Sequence, residues 1–139
     1  MSPVLDASLT LSWFFEDERT PAIDTVLDQV VASGAVVPSL WRLEVANGFQ
    51  MAIRHKRIDK DFHDRAIRQL SLLPIVIDPE SDTNVWTATL RLSDRFGLTV
   101  YDATYLELAQ RRDLPLASID EALSAAGERL GLAILGRKR

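Results

Sequence analysis

Short apolar segments alternate with amphipathic helical patterns along the chain, and this alternation constrains the fold more than any other feature. The apolar segments include Pro3–Leu5, the "AVVP" that begins at Ala35, and Ile75–Ile77. Segments this short and continuously apolar are typical of strands buried on both faces of a parallel sheet. The order therefore predicts an α/β fold with a central, mainly parallel β-sheet flanked by helices in three layers.

The later part of the chain predicts further strands in the same sheet. Apolar runs at Leu98–Tyr101 and Pro115–Ile119 are interpreted as the fourth and fifth strands, and "LAIL" at Leu132–Leu135 can form a last one. The segment Ile75–Ile77 fits a strand either within the main sheet or outside it. Each strand is followed by a helical pattern, which favours parallel pairing.

Capping signals set the predicted boundaries of the helices. Thr20 followed by Pro21 predicts an N-cap with proline in the first turn, and Gly34 ends that helix. Ser39 and Asp59 are the predicted N-caps of the next two helices. No repeat or linker divides the sequence, so we expect one domain spanning residues 1–139.

Composition and charge exclude several classes of protein. The chain has no cysteine and two histidines, which excludes thiolate sites and makes a zinc site improbable. It carries no apolar run of membrane-spanning length and no secretory signal pattern, so we expect a cytoplasmic protein without membrane contact. The net charge is −4, so binding of nucleic acid would depend on local basic clusters, found at Arg54–Arg57, Arg111–Arg112 and Arg137–Arg139.

Aspartates follow several of the predicted strands. Asp6, Asp102 and Asp120 each stand where a strand ends, and the carboxyl ends of parallel strands share one edge of the sheet, where ligands bind in open α/β folds. The competing interpretation is that each aspartate is a helix N-cap. Asp78 also follows a strand, but its "DPES" context is typical of a turn and favours a structural role.

Glu44 adds a carboxylate that helix capping cannot explain. It lies in "SLWRLEVANGF", more than one turn inside a predicted helix, with apolar, small and amide side chains as helical neighbours. A buried pair with an arginine is the structural alternative. Four carboxylates at one edge would raise one another's pKa, and a divalent cation such as Mg²⁺ or Mn²⁺ removes that conflict. Phosphodiester hydrolysis is the chemistry that such a site suits best.

Four motifs in order resemble those of the PIN-domain ribonucleases, and among them the VapC toxins of type II toxin–antitoxin systems. The motifs are "VLDAS", "WRLEVANGF", "LTVYDATYLELA" and "LPLASID", and they cover nearly the whole chain. The resemblance implies that four acids form the catalytic and metal-binding cluster, namely Asp6, Glu44, Asp102 and Asp120. It also implies that Ser8 supports the first aspartate and that Asn47 lies beside the glutamate.

The resemblance further implies an activity and partners. We expect a Mg²⁺- or Mn²⁺-dependent endoribonuclease that forms a homodimer, acts on RNA, and is the toxin of a VapBC-type pair. The cognate VapB-type antitoxin would insert a segment into the acidic groove, and DNA would be contacted only through that antitoxin. Two alternatives stay open: a catalytically silent PIN-like module that binds RNA or protein, and a phosphoacceptor domain, which the lack of an acidic pair beside a strand-end acceptor disfavours.

Overall fold

Five short parallel strands form the central sheet in the computed structural model, which describes residues 1–137. Their order across the sheet is β3-β2-β1-β4-β5, and every neighbouring pair is parallel. The predicted α/β architecture is confirmed, and the third strand lies inside the sheet, paired with the second. The strands are β1 (Val4–Leu5), β2 (Ala35–Val37), β3 (Ile75–Ile77), β4 (Leu116–Ala117) and β5 (Ile134–Leu135).

Helices connect the strands and flank the sheet. One of them, α6, has seven consecutive buried residues from Ala103 to Ala109, as expected for a helix enclosed on all sides. None of the helices in residues 1–137 combines the length and apolarity that a membrane crossing requires. The helices are α1 (Ala7–Ser12), α2 (Pro21–Ser33), α3 (Leu40–Arg54), α4 (Lys60–Ser71), α5 (Leu90–Phe96), α6 (Val100–Arg112) and α7 (Glu121–Arg129), with short 3-10 or π turns at Glu16–Glu18, Asp82–Asn84 and Val85–Thr89.

The chain reverses its direction of travel across the sheet between β1 and β4. It runs outward from β1 through β2 to β3, and later returns to place β4 on the other side of β1. Such a switch point leaves a crevice outside the carboxyl ends of the two central strands. Asp6 follows β1 and Ser118 follows β4, so both residues lie at this crevice.

Most predicted helix caps are present, with one exception. The side chain of Thr20 accepts a hydrogen bond from the backbone N–H of Ile23, and Asp59 likewise caps α4. The predicted capping by Ser39 is wrong. Its backbone is already helical, and its hydroxyl donates instead to Asp82 Oδ1 at 2.8 Å.

The strand predicted at Leu98–Tyr101 does not exist. Gly97 ends α5 in the left-handed conformation, with φ of +66°, and Thr99 caps α6 by accepting a hydrogen bond from the backbone N–H of Asp102 at 3.1 Å. Asp102 therefore lies in the first turn of a helix rather than at the end of a strand. A short apolar run does not distinguish a buried strand from the start of a buried helix, and here the capping threonine decides.

Asp78 belongs to an ion-pair cluster that joins the end of β3 to α6. The guanidinium of Arg111 donates to Asp78 Oδ2 and to Glu107 Oε1, both at 2.7 Å, and Ser81 Oγ also donates to Asp78 Oδ2. Burial raises the pKa of Asp78, but the hydrogen bonds from Arg111 and Ser81 outweigh burial, so the pKa lies below its ordinary value. Asp78 is thus a structural group.

Each of the three basic clusters noted in the sequence contributes at least one residue to an ion pair. Arg57 contacts Asp17 and Glu18, and Arg112 contacts Asp78. Arg137 pairs with two acidic residues of α7, Glu121 and Glu128. The other two residues of the C-terminal cluster, Lys138 and Arg139, lie outside the described residues.

Replacing Asp78 by asparagine should destabilise the fold. We expect Asp78→Asn to lower the free energy of unfolding at pH 7 by about 2 kcal/mol, because a buried charge-assisted hydrogen bond is lost. The pKa of Asp78 is depressed in the folded state, so its contribution is present above the ordinary value of 3.8 and is lost as pH falls below it. Urea denaturation at pH 7 and pH 3 measures both effects.

Asp94→Asn is the matched control, because Asp94 is an exposed aspartate of α5. This variant should change the free energy of unfolding by less than about 0.5 kcal/mol. Equal effects of the two substitutions would contradict the structural role of Asp78.

Candidate active site

Asp6 is a buried carboxylate at the end of the central strand. It is the N-cap of α1, and its side chain is 4% exposed. Its Oδ2 atom accepts hydrogen bonds from Ser8 Oγ at 2.6 Å and from Ser118 Oγ at 2.7 Å. Burial raises the pKa of Asp6 and these hydroxyls lower it, with a net rise to which Asp120 also contributes.

Ser118 connects the two strand-end aspartates. Its side chain is fully buried after β4; its hydroxyl donates to Asp6 and accepts from the backbone N–H of Asp120 at 3.0 Å. Asp120 in turn caps α7, with Oδ1 accepting from the backbone N–H of Leu123 at 2.8 Å. Sequence reasoning missed Ser118, although a hydroxyl directly after a buried strand and two residues before Asp120 was a usable signal.

Close packing of α3 against α1 brings Glu44 to the same edge. A Cβ atom on Gly48 would clash with the side chain of Leu11, so glycine lets the two helices approach without displacing that leucine. Trp41 Nε1 donates to Thr10 Oγ1 at 3.0 Å, and both residues are buried. Helix α3 therefore places Glu44 beside α1, whose N-cap is Asp6.

Glu44 is held by a tyrosine rather than by a cation. Tyr105 donates its hydroxyl proton to Glu44 Oε1 at 2.6 Å. Burial raises the pKa of Glu44, the hydrogen bond from Tyr105 lowers it, and the charge of Asp6 raises it further. The arginine pair considered from the sequence is absent from residues 1–137. Asn47 is exposed one turn further along α3, and no hydrogen bond joins it to the acids among the described side chains.

Asp102 shows most directly that the four acids share one environment. Its pKa is raised to about 6, first by burial and then by the charges of Asp120, Asp6 and Glu44. Helix capping does not account for Asp102, since Thr99 is the cap of α6. In the described part of the chain, no lysine, arginine or histidine forms an ion pair with any of the four acids. The result is a concentration of negative charge without an internal counter-ion.

The donor chemistry of this edge suits a divalent cation that prefers oxygen. Glu44 and Asp120 each have one oxygen engaged by a protein donor, which leaves the other oxygen as the ligand atom. In Asp6 the hydroxyls engage Oδ2, and Oδ1 accepts a longer hydrogen bond, of 3.4 Å, from the backbone N–H of Ser8. As the side chains are placed, however, no three acidic or histidine groups in residues 1–137 are close enough to enclose one ion. Side-chain rotation would be needed to bring them onto a shared ion.

Removing one charge from the cluster should stabilise the metal-free protein. The pKa of Asp102 is 3.8 in the unfolded chain and about 6 in the folded protein. Because the folded state holds the proton more tightly, the parent protein loses stability as the pH rises between these values. Asp102→Asn should escape that loss and be more stable in chelator at pH 7.5 by about 1 kcal/mol, after allowance for solvent screening and for the helix N-terminus. Thermal melts from pH 4 to pH 8 measure the difference.

Asp61→Asn is the control, because Asp61 is also an aspartate in the first turn of a helix but is exposed. It should lose a few tenths of a kcal/mol through the helix dipole alone. A loss of the same size in Asp102→Asn would show that charge crowding is absent.

Comparison with known proteins agrees with this fold. The family model of the PIN domain matches residues 4–129. The chain is also similar in fold to the crystal structure of PAE2754 from Pyrobaculum aerophilum, with a TM-score of 0.69 over 96% of this chain and 83% of that one, at 24% identity. No curated protein matches the chain at a significant level. By the extent of the match, the chain belongs to the PIN-domain family, whose members are generally nucleases.

Proposed function

We propose that this protein is a metal-dependent endoribonuclease and the toxin of a VapBC-type toxin–antitoxin pair. The observation that carries the proposal is the electrostatic coupling of Asp102 to three other carboxylates, with none of them paired to a cation among the described residues. Membership of a nuclease family supports hydrolysis of nucleic acid. The choice of RNA and of a toxin rests on the resemblance of the four motifs to VapC proteins.

Asp6, Glu44, Asp102 and Asp120 would hold Mg²⁺ or Mn²⁺. When bound, such a cation supplies neutralisation of the crowded charge, a lowered pKa for a coordinated water, and stabilisation of charge on a phosphoryl oxygen. The chain's own hydroxyls orient the acids: those of Ser8 and Ser118 hold Asp6 by one oxygen. These donors are neutral, so they fix the carboxylate without cancelling the charge that a cation needs.

A catalytically silent binding module is the less favoured function. A module of that kind gains nothing from four acids whose mutual repulsion raises the pKa of Asp102 and lowers stability at neutral pH. The same acids, once neutralised by a cation, form the kind of site that hydrolyses phosphodiesters. A catalytic metal site therefore explains why the protein keeps four acids that destabilise it at neutral pH, and a binding role alone does not.

Cleavage of RNA should require both Mg²⁺ and Asp102. We expect the purified parent protein to cut structured RNA with Mg²⁺ and to stop in chelator, and Asp102→Asn to cut at least about 100-fold more slowly, a loss of ~2.7 kcal/mol of transition-state stabilisation. Glu44→Gln should behave likewise. Gel analysis of end-labelled RNA, with a DNA of the same sequence in parallel, measures the rates.

Asp78→Asn is the matched control for cleavage. Asp78 also follows a strand, but it faces Arg111 instead of the four acids. At a temperature where it is folded, this variant should cut at nearly the parent rate. An Asp102→Asn protein that is folded and cuts as fast as the parent would contradict the proposed active site.

The charge distribution of the site also supports one of the partners that the resemblance implies, the antitoxin. A groove lined by unpaired carboxylates is complementary to an arginine, whose planar fork matches a carboxylate in two hydrogen bonds. We therefore propose a small VapB-type antitoxin that inserts an arginine there. The homodimeric state of the toxin is proposed from the resemblance to VapC proteins.

Induced expression should arrest bacterial growth, co-expression of the antitoxin should restore it, and Asp102→Asn should not arrest growth. Arrest by a folded Asp102→Asn protein would show that toxicity does not come from this site.

A further inference from the structure

Tyr105 is a fully buried tyrosine within the acidic edge. It lies on α6, one helical turn after Asp102, and its relative exposure is 0%. Its hydroxyl reaches across to α3 and donates to Glu44 Oε1 at 2.6 Å. A phenol needs a hydrogen-bond partner when it is buried, and here the partner is one of the four acids.

The consequence concerns which oxygen of Glu44 is available. The hydrogen bond occupies Oε1 and leaves Oε2 as the oxygen available to a cation, and the ring of Tyr105 that carries the hydroxyl is fully buried. We propose that Tyr105 is a positioning residue that fixes Glu44 as a one-oxygen ligand of the cation. This inference rests on the proposed function, because it assigns Tyr105 a task at that same site.

A purely structural role is the competing explanation. In that case the hydrogen bond would stabilise the contact between α3 and α6, and its loss would lower the melting temperature without changing the affinity for a metal. Loss of stability in chelator is expected under both explanations, so stability alone does not separate them. The affinity for the metal separates them, because only the positioning role predicts that Tyr105→Phe weakens it.

The test measures the Mn²⁺ concentration that gives half of the maximal rise in melting temperature, without RNA. Tyr105→Phe should raise this concentration about 10-fold or more, the usual effect of removing a group that orients a metal ligand. Tyr101→Phe is the matched control: Tyr101 is on the same helix, 61% exposed, and should leave the half-saturation concentration unchanged. Equal values for the parent and Tyr105→Phe would overturn the inference.

A double-mutant comparison identifies Glu44 as the group through which Tyr105 acts. Glu44→Asp keeps the charge but is one methylene shorter, so it should weaken Mn²⁺ binding by itself, and adding Tyr105→Phe should then weaken it little further. Independent, additive losses would overturn the inference. If Tyr105→Phe does not fold, the Mn²⁺ affinity of Glu44→Asp is measured instead. An affinity equal to that of the parent would show that Glu44 is not a ligand, and would overturn the inference.

The parent protein separates this inference from the proposed function. A parent whose melting temperature does not respond to Mn²⁺ overturns the proposed metal site and the role of Tyr105 with it. A parent that responds, and that cuts RNA, while Tyr105→Phe binds Mn²⁺ equally well, overturns the role of Tyr105 alone.

Discussion

The hydrogen bonds to the buried carboxylate of Asp6 are the interaction on which the rest of the site depends. Asp6 ends the central strand at the point where the chain switches sides of the sheet, so its position is set by the sheet itself. Ser8 and Ser118 satisfy one of its oxygens from two different elements. Ser118 also accepts a hydrogen bond from the Asp120 backbone, so the hydrogen bonds that hold Asp6 also place the second aspartate.

Asp78 differs from the carboxylates of the proposed site in the charge of its hydrogen-bond donors. Asp78 is surrounded by donors that include the guanidinium of Arg111, and its pKa is lowered overall. Asp6 and Glu44 receive hydrogen bonds only from neutral groups, hydroxyl or amide, and their pKa values are raised. A guanidinium makes a carboxylate a structural element, whereas a hydroxyl orients it and leaves its charge for a ligand. This contrast separates the proposed site from the structural ion pairs more clearly than sequence position does.

Sequence patterns predicted the sheet and the positions of Asp6 and Asp120 after its strands, because those features depend on local periodicity and on the ends of strands. The α/β class, the caps at Thr20 and Asp59, and the structural role of Asp78 could all be argued from neighbouring residues. The segment after Gly97 was misinterpreted because "LTVY" has the composition of a strand while Thr99 caps a helix.

The parts that could not be predicted are contacts between distant segments. The hydrogen bond from Tyr105 to Glu44 spans 61 residues and that from Ser118 to Asp6 spans 112. No local pattern encodes either of them, because both depend on how α3, α6 and β4 meet around the switch point. The rise in the pKa of Asp102 is likewise a property of the assembled edge and not of its helix.

The chemistry of the cut ends tests the central claim most directly, namely that this edge activates a water to hydrolyse RNA. RNA would be cleaved with Mg²⁺ in ¹⁸O-labelled water and the fragments analysed by mass spectrometry at early times. Attack by water places one solvent oxygen in the new terminal phosphate, so we predict that every early fragment bearing this phosphate carries one ¹⁸O, while the other fragment of each pair ends in an unlabelled hydroxyl. Fragments that end in an unlabelled 2′,3′-cyclic phosphate would show that the ribose hydroxyl attacks instead, and would contradict the account.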